Sequence, residues 1–79
     1  MPRYYFHLHN DIDAVDEEGV ELSDWEEAEA HALHEARIMF CNSAMETGRV
    51  VLSHRIDVED EHGKVLGSVR FGHAVQIES

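Results

Sequence analysis

Residues 3–9, RYYFHLH, alternate strictly between two kinds of side chain. In an extended strand Tyr4, Phe6 and Leu8 point to one face, and Tyr5, His7 and His9 to the other. The first set suits a core. The second carries a phenol and two imidazoles. A chain that opens this way needs partner strands, a layer over the apolar face, and something to do with the polar one.

The 79 residues make one domain, 1–79. A chain this short buries only about 60% of the surface its unfolded form exposes, so its core is marginal. Small domains are usually reinforced by disulfides, a metal or a second subunit. The single cysteine, Cys41, has no partner within the chain. A homo-oligomer, most simply a dimer, is therefore expected, and a protein partner fits as well. Six basic residues stand against seventeen acidic ones, for a net charge of −11. Such a surface repels nucleic-acid phosphates and anionic lipid. No apolar run approaches the roughly 20 residues that span a bilayer. A strand starting at residue 3 leaves no room for a targeting peptide, and a lone free cysteine suits a reducing compartment. The expectation is a soluble cytoplasmic protein.

The rest of the chain supplies the missing layers. Residues 10–19 read as an acidic loop, with a second short strand near Ile12 to Val15. Ser23 as N-cap with Glu26 three residues on forms a capping box, and Gly48 suits a left-handed stop, so a helix is predicted over about 24–46. At 100° per residue, Trp25, Ala28, Ala32, Ala36, Met39 and Phe40 share its core face, with Leu33 at the margin. Glu27, His31, His34, Ile38 and Met45 fall on the wet side. After Gly48 the period returns to two. Residues 53–59 place His54, Ile56 and Val58 inward, and Arg55, Asp57 and Glu59 outward. DEHG at 60–63 reads as a hairpin loop with a bulge. Residues 64–71 return with Val65, Gly67, Val69 and Phe71 on one face and Leu66, Ser68 and Arg70 on the other. For the tail from residue 72, an edge strand and a helical turn both remain open. The fold class is α+β: an antiparallel β-sheet of three to four strands with one long α-helix on one face, in the order β-(β)-α-β-β.

That architecture leaves the second sheet face bare. Arg3, Tyr5, His7 and His9 belong to it, with Arg55, Asp57 and Arg70. The candidate binding patch is Tyr5, His7, Arg55 and Arg70, suited to an anionic ligand or an acidic patch on a partner. Cross-strand pairing with Asp57 and Glu59 is the plainer use of the same residues. His7 and His9 could also serve a metal- or anion-responsive module, but two ligands are too few for a zinc site, and the same holds for His31 and His34. The loop from Asp11 lacks the glycine and glutamate of a calcium loop. Cys41 lies mid-helix, away from the helix N-terminus that would activate it. No nucleophile elbow, phosphate loop or dinucleotide fingerprint is present. These absences point to a non-enzymatic binding protein with no cofactor and no metal site.

The opening PRYYFH, the segment DEEGVEL at 16–22, the helix EAEAHALHEAR at 27–37 and the segment RIDVEDEHGKVLGSVRFGHAVQI at 55–77 resemble a bacterial domain-of-unknown-function family. Its members are typically small stand-alone proteins. The resemblance implies no activity, cofactor or catalytic residue.

Overall fold

The computed structural model describes residues 2–10, 13–76 and 78. Strand β1 (Arg3–His9) is followed by a two-residue β2 (Val20–Glu21), helix α1 (Trp25–Thr47), strands β3 (Arg55–Glu59) and β4 (Val65–Arg70), and a single turn α2 (Phe71–Ala74). The sheet order is β2-β1-β3-β4, antiparallel throughout. This is the expected α+β fold.

The opening alternation becomes burial. Tyr4 is buried, and Phe6 and Leu8 pack against the core from the same face. Helix α1 lies chiefly over β3 and β4. Its small residues Ala28, Ala32 and Ala36 are fully buried against Ile56 and Val58. Small side chains let the helix backbone approach the sheet closely. Gly67 serves the same end, because a Cβ there would meet the Trp25 indole at 2.8 Å. Phe71 and Ala74 of α2 close the end of the core. The Arg37 guanidinium donates from Nε to the Ala74 carbonyl at 2.6 Å, tying α2 to α1.

Several expectations are corrected. The N-cap is Asp24 rather than Ser23: its extended backbone leads into the helix, and its carboxylate accepts from the Glu27 N–H at 2.9 Å. Ser23 instead donates its hydroxyl to the Glu27 carboxylate. Strand β3 begins at Arg55, not residue 53. Val65 is exposed, not inward, because a bulge at Val58/Glu59 shifts the register and flips its parity. Phe71 leaves the strand for α2, so the tail opens as a helical turn. The short strand expected near Ile12 to Val15 is a single bridge between Leu8 and Ala14, and Ile12 lies outside the described residues. His31 is not on the wet side. Because α1 sits over β3 and β4, its flank turns toward β1, and the His31 ring meets Phe6 at 4.5 Å. Ile38 and Met45 are exposed as expected.

The loop before α1 closes the outer edge of β1. Tyr4 pairs with Val20, and Leu8 exchanges two hydrogen bonds with Ala14. Between them the Phe6 N–H has no strand partner and donates instead to Asp16 Oδ2 at 3.1 Å. Asp16 Oδ1 accepts from Gly19 at 3.0 Å and Glu18 at 3.2 Å. Gly19 is fixed twice over. Its φ is +70°, and a Cβ would stand 2.9 Å from the Tyr4 carbonyl oxygen.

Candidate binding surface on the open sheet face

The face opposite α1 is set by strand register. Tyr5 stands across from Glu59, His7 from Asp57, and His9 from Arg55. On the other side of β3, Asp57 meets Ser68 and Arg55 meets Arg70. Each histidine reaches diagonally to the acid one pair along. His7 Nε2 pairs with the Glu59 carboxylate. His9 Nε2 lies 2.9 Å from Asp57 Oδ2, and its Nδ1 lies 3.1 Å from Asp13 Oδ1.

These contacts define proton positions. His7 Nδ1 accepts from the Asp16 N–H at 3.0 Å, so in this arrangement the ring proton sits on Nε2, facing Glu59. The loop and β3 thus grip one imidazole from both sides. The Tyr5 ring stacks parallel to it, with centroids 6.4 Å apart. Asp57 is the hub of the face. Its Oδ1 accepts from Arg55 Nε at 3.0 Å and from Ser68 Oγ at 2.5 Å. Burial alone would raise its pKa. The hydrogen bonds from Ser68 and Arg55, with the charges of Arg55 and His9, outweigh that and hold the carboxyl below its ordinary range. Asp16 follows the same pattern: burial opposes ionisation, and the N–H groups of Gly19, Phe6 and Glu18 more than offset it.

All four residues of the candidate patch lie on this face, in two pairs. Tyr5 and His7 sit at the Glu59 end. Arg55 and Arg70 sit directly opposite each other at the other end. Arg3 has turned away, donating to the carbonyls of Glu18 and Gly19 and pairing with Glu21 at 3.1 Å. Arg70 is exposed, and its side chain has no hydrogen bond or ion pair to any of the described residues.

Asp13, Asp16 and Ser68 belong to the surface although sequence reasoning did not single them out. The one available signal was Asp16 three residues before Gly19, since an aspartate carboxylate commonly bonds to backbone just ahead of it. No group of three or more histidine, cysteine or acidic residues among the described residues is placed to hold a metal ion. A metal on His7 would displace either the Asp16 N–H or Glu59.

On the opposite side of the sheet, α1 leaves β1 half covered. Two clefts of about 350 and 370 Å³ flank Leu8 and Met39 there. One runs past Phe6, Val20 and His31, the other past Asn42, His54 and Phe71. No helix among the described residues is long and apolar enough to cross a membrane.

The family model for a domain of unknown function, DUF6894, matches residues 3–72, from the first residue of β1 to the second of α2. The chain belongs to this family. The match takes in the whole sheet, α1 and the Asp16 loop, so the surface described above lies within the DUF6894 domain. No curated protein and no solved structure matches the chain.

Proposed function

We propose that this DUF6894 domain is a non-catalytic binding module that works as a homodimer, receiving an acidic group of its partner at Arg55 and Arg70 on the open sheet face. The observation that carries the reading is the cross-strand arginine pair. Like charges directly opposite on neighbouring strands are destabilising. Arg55 is partly offset by Asp57, whereas Arg70 finds no acid among the described residues. A carboxylate bridging two guanidinium groups reverses the sign of their interaction. Acid is plentiful on a second copy of a chain with net charge −11. Tyr5 and His7 extend the patch as a pre-ordered flank.

The acid–base groups on this face are committed to one another, which supports binding over catalysis. His7 and Glu59 face each other, as do His9 and Asp57. A metal on His7 would have to displace either Glu59 or the Asp16 N–H, and one on His9 either Asp57 or Asp13. The acidic charge argues against nucleic acid and anionic membranes as partners, and the free Cys41 suits a cytoplasmic setting.

Light scattering after size exclusion tests the reading. At micromolar concentrations the expected mass is twice the 9.0 kDa of the chain. Arg70→Ala should shift the population toward monomer. A monomer at every concentration would overturn the proposal.

A further inference from the structure

We propose that His7 is a pH-sensitive latch. While its imidazole is neutral it holds segment 13–19 against β1, and when the ring takes a second proton the Asp16 end of that segment opens more often. The latch goes beyond the arginine pair and does not depend on the dimer.

The holding contact runs from backbone to ring. The Asp16 N–H donates to His7 Nδ1 at 3.0 Å, which leaves that nitrogen no room for a hydrogen of its own. Nε2 carries the ring proton and faces the Glu59 carboxylate. An imidazolium has an N–H on both nitrogens. Protonation therefore sets two donors against each other across the 3.0 Å contact. The His7 side chain is only 14% exposed, so water is poorly placed to step between them. Nor does turning the ring over relieve the conflict. A flip puts carbon in the place of each nitrogen and gives up Glu59. The Glu59 contact survives protonation and gains charge. With the ring pinned by Glu59, the segment is what yields.

The acids about the ring favour the imidazolium. Glu59 and Asp57 belong to β3 and stay beside His7 whether the segment is held or not. Tyr5 contributes its stacked ring. Asp16 is the one acid that leaves with the segment. Its oxygens are engaged by the N–H groups of Phe6, Gly19 and Glu18, and the His7 charge acts on it less than any of these bonds does. A state that accepts the proton freely gains over one that cannot, so acid shifts the balance toward opening.

The other end of the segment is tied in the opposite sense. His9 faces Asp13 from Nδ1 and Asp57 from Nε2, two acceptors, so a charged His9 tightens the tie. Arg55, across from His9, is itself turned to Asp57. Acid thus loosens Asp16 while Asp13 and the Leu8–Ala14 pair hold. What opens is the outer edge of β1. The Phe6 N–H loses its acceptor, and Asp16 leaves the wall of the cleft that runs past Phe6 and His31.

Ring nitrogen NMR and amide hydrogen exchange, both followed from about pH 8 to about pH 5 where histidines change charge, test the latch. At the upper end His7 should carry its proton on Nε2. As the ring titrates, protection of the Asp16 and Phe6 amides, corrected for the intrinsic pH dependence of exchange, should fall by about tenfold, the held form remaining the major one. Protection of Leu8 and Ala14 should not fall. In Glu59→Gln the ring should titrate at lower pH, and the loss of Asp16 protection should move with it. His7→Asn offers an oxygen near the place of Nδ1 and does not titrate, so its Asp16 protection should be the same at both ends of the range. The parent protein alone decides the matter should either variant fail to fold. A neutral ring protonated on Nδ1, a His7 that does not titrate between these limits, or a titration that leaves Asp16 and Phe6 protected would overturn the latch.

Discussion

Replacing Asp16 by Asn changes one atom, and the structure makes that atom matter. The carboxylate uses both oxygens as acceptors. Oδ2 takes the Phe6 N–H, and Oδ1 takes those of Gly19 and Glu18. An asparagine keeps one oxygen and turns an amide N–H₂ toward the other site. If its oxygen serves the loop, the half-buried Phe6 N–H faces another donor. The two loop N–H groups can fall back on water; the Phe6 group, between strand and loop, is poorly placed to do so. A bond to a charged acceptor is worth about 1.5–3 kcal/mol, and the solvent-facing side of Asp16 reduces that. The expected loss is about 2 kcal/mol at neutral pH, or roughly 10 °C in Tm for a domain this small. Urea unfolding of both proteins from pH 7 down to pH 3 measures it. The folded-state pKa of Asp16 lies below its ordinary value of 3.8, so its contribution is fully present above the unfolded pKa. It is lost as pH falls through the folded pKa. The gap between the two proteins should therefore be flat from about pH 5 to 8 and close below about pH 4. An Asn variant as stable as the parent at pH 7, or a gap unchanged at pH 3, would refute the account of Asp16 as a cap on the strand edge.

Two further outcomes follow from packing and capping. Gly67→Ala drives a methyl into the Trp25 ring, at 2.8 Å from Cη2, and should cost about 1–3 kcal/mol by thermal denaturation. Trp25→Leu in the same chain should recover part of that loss, so a double-mutant cycle with no coupling would sink the contact. Asp24→Ala should cost about 1 kcal/mol and Ser23→Ala distinctly less, because the Glu27 N–H is held by Asp24; chemical denaturation of the pair checks the order.

The sheet was legible because its signal is a period. Tyr4, Ile56 and Val58 announce their face by alternation, and Trp25, Ala28, Ala32 and Ala36 announce theirs by helical spacing. What escaped has no period. Ser23 and Asp24 are both competent caps, and only the backbone path into the helix chooses between them. Val65 breaks the alternation because a bulge inserts an extra residue, which no side chain advertises. Helical spacing alone puts His31 on the solvent side, whereas α1 lies over β3 and β4 and turns that flank inward. On the open face, strand parity placed Tyr5, His7, Arg55 and Arg70 together. It could not show that Arg3 would fold back onto the loop carbonyls, nor which acid of a strongly acidic loop would reach Phe6.

The strand order has a consequence for how the molecule forms. Strand β1 opens the chain, yet its inner partner is β3, and Tyr5 must find Glu59. The buried alanines of α1 likewise rest on Ile56 and Val58, which follow the helix in the chain. A nascent chain that has completed α1 therefore holds a strand with no inner neighbour and a helix with nothing beneath it. Such non-local pairing slows folding relative to helical bundles of equal size. Its cooperative step waits for the last third of the sequence, and the early segments stay exposed to proteases and chaperones until then.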